Sequence, residues 1–367
     1  MIPSTSSPDA YHQTRVVQSQ IKSSNSNLQQ MERKTHTTTV SEYQLEMLEH
    51  LLSVESCTLP NASLIEQQPE IKLSMRPLLL DFLMEVITIL NLSRSTFPLT
   101  VNLIDRYCST RIVKKQHYQL LGLTSLWISC KNLDPKFKIP TLNDLRKICV
   151  DSYNKELFIE MEKHILKSLE WVINSPTFDA FVDVFLNMLV SVGDDNALVI
   201  KKCYNKIKLS SYYLGELFQF YPNMYFEYSP SQIAILAIMS SISTLKLSVN
   251  ITTILDLYNK LLGNTTRQLT MENFQSVYKA IRVLALPNSL QQRYCVNQNI
   301  NNGANNHNNN GNVNPNLPPK TPKVSMPLTP GPSPEEKISR KRHGGHIDPP
   351  MMVHERKRSC IDLGVRI

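Results

Sequence analysis

The sequence predicts an all-α protein: two tandem five-helix bundles behind an N-terminal helix, with disordered tails at both ends. Three observations predict it. Apolar residues between about 40 and 285 recur with helical spacing, and β-branched residues fall inside that periodicity rather than in strand-like alternation. Two stretches, Gln116 to Lys131 and the run from Ile233 to Ile242, are apolar almost all round, and each comes third in a group of about five predicted helices. From residue 297 the composition turns abruptly to Asn, then to Pro, Ser and Thr, which cannot build a core.

In chain order, residues 1–38 are rich in Ser, Thr and Gln and read as a disordered tail. The first folded region, 39–175, opens with an amphipathic helix through Tyr43, Leu45, Met47, Leu48, Leu51 and Leu52. A polar link with Pro60 and Pro69 follows. Ser74 is placed to cap the next helix, and Pro77 is tolerated in its first turn, where the missing N–H has no intrahelical partner. Pro98 plays the same part for a helix whose stripe is Phe97, Val101, Ile104 and Cys108. The all-apolar helix then ends at Lys131, with Asp134-Pro135 closing the turn. Thr141 opens a short helix to Val150, and Asn154 a longer one to about Glu170, with Leu157, Met161, Ile165 and Leu169 on one face. The pattern restarts after Pro176, giving a second region over 176–290. It holds a helix from Phe178, a long one from Leu198 to Phe220, another from Ser229-Pro230, and two more over 250–262 and 270–285. Residues 291–367 read as a disordered tail ending in the basic clusters Arg340-Lys341-Arg342 and Arg356-Lys357-Arg358.

The totals exclude several function classes. Seven cysteines form no CxxC pair, and an odd count argues against a disulfide framework. No apolar signal core opens the sequence and no stretch of eighteen apolar residues occurs, so a cytosolic or nuclear protein without a membrane partner is expected. A net charge of +8 admits nucleic acid, but the basic residues are spread along the folded part, which disfavours it. There is no Gly-rich phosphate loop and no HExxH, and none of the nine histidines sits in a motif with a nucleophile. The expectation is a protein that binds rather than catalyses, with no cofactor and no metal.

The segment from Met75-Arg76-Pro77 to Glu85-Val86, with Leu92, Phe97, Thr100-Val101, Leu103-Ile104 and Asp105-Arg106-Tyr107, resembles the cyclin box. LGLTSLWISCK is similar to its third helix, and YNKELFIEMEKHILKSLEWVINSPT to its fifth helix and exit. The second half resembles the weaker second cyclin fold, so the resemblance covers roughly 40–290, and the Ser, Thr and Pro tail together with the style of the box looks most like those of fungal G1 cyclins. It implies that Lys131 and Glu162 contact a partner kinase. The chemistry fits independently, since an ammonium and a carboxylate can grip exposed backbone groups of a docked helix. The bland alternative is a surface ion pair worth at most about 1 kcal/mol. Leu157 and Phe158 are either apolar contacts beside that pair or core. Arg76 and Asp105 are implied to form a partly buried structural ion pair. Met75, Leu78, Leu79, Phe82, Glu85, Tyr118 and Gln119 occupy the family's groove for short hydrophobic substrate motifs, although Leu79 and Phe82 also suit a core. Pro77, Phe82 and Tyr118 depart from the family pattern in that groove, and Asn132-Leu133-Asp134 replaces two glutamates after Lys131.

The tail segment Met326 to Pro334 resembles a phosphodegron read by an F-box ubiquitin-ligase receptor. Phosphate on Thr329 and Ser333 would add about −1.5 to −2 charges each, and Thr321-Pro322 offers a further proline-directed acceptor. The alternative is an unmodified Pro-rich linker. The basic triplets suit nuclear import, so nucleus and cytoplasm are the expected compartments. The resemblance thus implies a G1/S-type cyclin that binds and activates a cyclin-dependent kinase catalytic subunit, with kinase substrates and inhibitors as further partners. Competing readings are a nucleic-acid-binding factor of the TFIIB type, a cyclin serving transcription, metabolism or polarised growth, and a scaffold without a kinase.

Overall fold

The structure, a computed structural model, describes residues 26–263 and 268–294, save the side chains of Arg33 and residues 36–41. Helices account for its regular structure, and no strand occurs among the described residues. Helices α1 (Ser26–Glu42), α2 (Gln44–Cys57) and the short α3 (Ala62–Glu66) precede a first bundle. That bundle comprises α4 (Arg76–Ile89), α5 (Thr96–Thr110), α6 (Tyr118–Leu133), α7 (Leu142–Ile148) and α8 (Lys155–Ser168). The second comprises α9 (Phe178–Ser191), α10 (Asp195–Gln219), α12 (Pro230–Thr244), α13 (Ile251–Leu262) and α14 (Met271–Ile281), with the single turn α11 (Pro222–Tyr225) inserted after α10.

Start signals in the sequence set many of these boundaries. Thr141, Ser229 and Thr270 form reciprocal capping boxes with Asp144, Gln232 and Asn273, each satisfying two N–H groups that a helix start leaves open. Asn154 and Asp194 cap α8 and α10 through one side-chain acceptor each. The Thr141 hydroxyl and the Thr141 backbone N–H both donate to the Asp144 carboxylate and hold it below its usual value.

Several boundaries differ from the sequence expectation. Residues 26–38 are helical rather than disordered, since Gln29, Gln30, Met31, Glu32 and Lys34 are good helix formers. Leu28 and Met31 stay exposed and join neither core. Ser74 does not cap α4, because a 3-10 turn, Leu73–Met75, puts Met75 at that position. Helix α6 runs past Lys131 to Leu133, and Asp134 is its extended C-cap. Helix α8 stops at Ser168 because Glu170 and Trp171 both take positive φ, 52° and 63°. Residues 1–25 and 295–367 lie outside the described residues, and with them Thr321, Thr329, Ser333 and the basic clusters.

Two cores result. The first gathers Leu80, Leu83, Phe97, Leu103, Leu121 and Phe158 around α6, and the second gathers Phe181, Leu186, Phe218, Leu236, Ile238 and Tyr258 around α12. These two central helices are the ones whose sequences lack a polar face. Gly215 lets α10 cross α9 closely: a Cβ there would lie 2.1 Å from the Phe178 ring.

Buried polar contacts join the bundles. Arg76 and Asp105, each 2% exposed, form a two-pronged pair at 2.8 and 2.9 Å, and Arg76 Nη1 also donates to the Gln219 carbonyl at the end of α10. The guanidinium stacks 4.5 Å from the Tyr225 ring centroid. Burial works against its charge, but the Asp105 carboxylate more than offsets this and raises the Arg76 pKa. Burial also lifts Asp105, yet we read the pair as ionised, because a neutral Asp105 would leave Arg76 a buried unpaired cation. A separate contact ties α2, whose Leu48 belongs to the second core, to the second bundle: buried Glu55 accepts from Ser231 N at 2.7 Å and Ser231 Oγ at 3.0 Å. A carboxylate there meets the positive end of α12.

Candidate protein-docking site

Lys131 lies in the last turn of α6, where a cation complements the helix dipole. Glu162 lies in α8, beside the face that buries Phe158 and Ile165. The helices pack against each other, and Lys131 Nζ donates to Glu162 Oε1 across their junction. The side chains are 35% and 18% exposed, so the pair is reachable from solvent and contributes little to stability. One turn back, the Trp127 ring lies under the ammonium, 3.4 Å from Nζ to its centroid. Two faces of Lys131 are thus held, by an indole and by a carboxylate, and the remaining N–H directions are open.

Asp134 braces this corner. Its carboxylate accepts from Ser93 N at 2.7 Å and Thr96 Oγ1 at 2.6 Å, tying the end of α6 to the turn between α4 and α5. Asn132 Nδ2 donates to Asn174 Oδ1 at 2.6 Å, which ties the same end to the chain leaving α8. Leu133 on α6 and Ile159 on α8 are 39% and 37% exposed, and Phe137 and Trp171, in the turns that follow those helices, are 85% and 70% exposed. An exposed ion pair at a helix junction, with exposed apolar Leu133 and Ile159 on the same two helices, suits docking of another protein. Phe158 is fully buried and belongs to the core, while Leu157 is half-buried.

The sequence reading missed Trp127, Asp134 and Asn174 as parts of this corner. The four-residue step from Trp127 to Lys131 was a usable signal. The Asp134 and Asn174 contacts join distant positions and leave none.

The seven groove positions separate. Leu79 and Tyr118 are 7% and 6% exposed and belong to the core: Leu79 lies so close over α6 that a Cβ at Gly122 would sit 2.8 Å from its Cδ1. Leu78 is 73% exposed, and Met75, Phe82, Glu85 and Gln119 are half-buried. Burial, then the neighbouring Asp81 carboxylate, pushes the Glu85 carboxyl up. No group of three metal-ligating side chains occurs among the described residues, and no described helix is long and apolar enough to cross a membrane.

Residues 46–174 match the cyclin N-terminal domain. Two Candida albicans proteins, the G1/S-specific cyclins CLN2 and CLN3, are each 71% identical over 371 residues, covering 95% of this chain and 79% of theirs. The G1/S-specific cyclin CLN3 of Saccharomyces cerevisiae is 33% identical over 303 residues, covering 73% of this chain and 50% of that one. A viral cyclin from herpesvirus saimiri, solved by X-ray crystallography, shares the fold with a TM-score of 0.51 at 19% identity, over 68% of this chain and 99% of that chain. The chain therefore belongs to the cyclin family, among the G1/S-specific cyclins.

Proposed function

We propose that this cyclin is the regulatory subunit of a cyclin-dependent protein kinase and switches it on at entry into the cell cycle, with no catalysis of its own. The observation that carries the proposal is the solvent-reachable Lys131–Glu162 pair, braced at the junction of α6 and α8. Phosphoryl transfer by protein kinases requires a helix glutamate paired with the ATP-binding lysine, together with a correctly placed Mg²⁺-binding aspartate. A rigid surface that binds this arrangement better than the inactive one shifts the kinase population toward activity. Five residues of the groove, Met75, Leu78, Phe82, Glu85 and Gln119, are proposed to dock short hydrophobic motifs of substrates or inhibitors, and the exposure of Leu78 supports this.

Replacing both Lys131 and Glu162 with Ala is expected to abolish co-purification of histone-directed kinase activity while leaving the helical circular dichroism unchanged. Kinase activity retained at the wild-type level by that variant removes the site.

The tail is proposed to limit the protein's lifetime, through phosphorylated Thr329 and Ser333, with Thr321 as an added acceptor, read by an F-box receptor. Thr329→Ala is expected to lengthen the half-life in a translation shut-off, and an unchanged decay refutes the degron. Residence in nucleus and cytoplasm is proposed from the two basic triplets of the tail.

A further inference from the structure

The last described segment, 284–294, follows the second bundle in sequence but completes the first. Leu290 is fully buried in the first core, a core that also takes in Leu217 of α10, Phe220 just after it, and side chains of α4 and α5. Ser289, also fully buried, donates its N–H and its hydroxyl to Asp81 Oδ1 on α4. Arg293, 6% exposed, reaches the Met84 sulfur at 3.4 Å and Glu216 Oε1 of α10 at 3.3 Å. Tyr294 accepts from Arg94 Nη1 at 3.0 Å and packs edge-on against Tyr213 of α10, with centroids 5.0 Å apart. Tyr221, just after α10, donates to the Ala285 carbonyl.

Arg94 stands in the turn between α4 and α5, beside Ser93, whose N–H is held by Asp134. Contacts therefore run from Tyr294 to that turn, from the turn to Asp134, and from Asp134 to the helix end that carries Lys131. The segment grips α4, α10 and this turn together.

We propose that residues 284–294 are a latch that closes after both bundles have formed, locking α10 against α4 and positioning the 91–96 turn that braces the Lys131 corner. With the latch open, the first core has an unfilled Leu290 site and Arg94 loses the Tyr294 hydroxyl, keeping the Tyr212 ring, so the turn and the corner it braces loosen. For its effect on the kinase the proposal rests on the docking role of Lys131 and Glu162; for its structure it does not.

The test uses the full chain with Asp81→Ala, Asp81→Asn and, separately, Arg293→Ala, followed by hydrogen–deuterium exchange and by kinase affinity. Asp81→Ala removes the acceptor that holds Ser289, whereas Asp81→Asn keeps Oδ1 and serves as the conservative rescue. Expected for Asp81→Ala and Arg293→Ala is exchange at least about tenfold faster in 284–294 and 91–96, with α12 and α13 unchanged. Kinase affinity falls about tenfold in parallel, and Asp81→Asn stays near wild type in both measurements. Exchange that rises equally in α12 and α13, exchange that does not rise at all, or full kinase affinity with a freely exchanging segment each overturns the latch. Should the Lys131 and Glu162 double variant leave kinase binding intact, the docking role falls while the exchange measurements still judge the latch.

Discussion

Glu216 is 1% exposed, and although Oε1 meets Arg293, Oε2 has no hydrogen-bond partner. Burial raises its pKa above the ordinary 4.5, against the opposing pull of Arg293, Arg94 and the Tyr294 hydroxyl, and Asp179 adds to the rise. Asp179 is itself raised by burial, opposed by donors from Ser95 and Thr177. A carboxyl whose folded pKa exceeds its unfolded one holds its proton longer in the fold. Its stabilising contribution is complete below pH 4.5 and is lost as pH rises through the folded value. Replacing Glu216 with Gln is therefore expected to flatten the fall in stability as pH rises above 4.5. Urea midpoints of the two proteins from pH 5 to 8 check this, and parallel slopes would show that the carboxyl does not titrate as argued. None of this was legible in the sequence, where Glu216 and Arg293 are isolated charges in different segments. Lys131 and Glu162 were legible only through the resemblance to cyclins, because spacing alone does not bring α6 and α8 together.

Among the elements, the helices with caps and clear periodicity were readable: the Thr141, Asn154 and Ser229-Pro230 starts lie where the cap chemistry puts them. Helices α6 and α12 were readable as central because an element with no polar face must be surrounded. The ends were less readable. Glu170 and Trp171 take left-handed backbone without glycine, at about 1–2 kcal/mol per residue, and nothing local announces it. Arg106 Nη1 holds the Val172 carbonyl at 2.8 Å just beyond, a contact that only the tertiary fold supplies. The crossing of α9 and α10 was equally silent, since Gly215 in a helix looks merely unfavourable. Its use is clearance for the Phe178 ring. Gly215→Ala is thus expected to destabilise the protein by about 1–3 kcal/mol, like other overpacked sites. A urea midpoint equal to wild type would mean the two helices do not cross so closely.

At the scale of the molecule, Arg76 with Asp105 and the Gln219 carbonyl forms a polar joint between the two bundles, and Glu55 ties α2 to the start of α12 in the second. Removing one member of the Arg76–Asp105 pair strands a buried charge, a loss of about 3–5 kcal/mol. The doubled architecture was visible from the repeat of an all-apolar third helix, but the return of 284–294 to the first bundle was not. That segment is too short for a periodic pattern, and its single deeply buried apolar residue, Leu290, looks like any exposed leucine before a polar tail. Its position sets an order of dismantling. A protein-unfolding motor that threads this chain from its C-terminal end reaches Arg293 and Leu290 before any helix of the second bundle. The bundle nearest the N-terminus therefore loses Leu290 from its core while α9 to α14 are still folded.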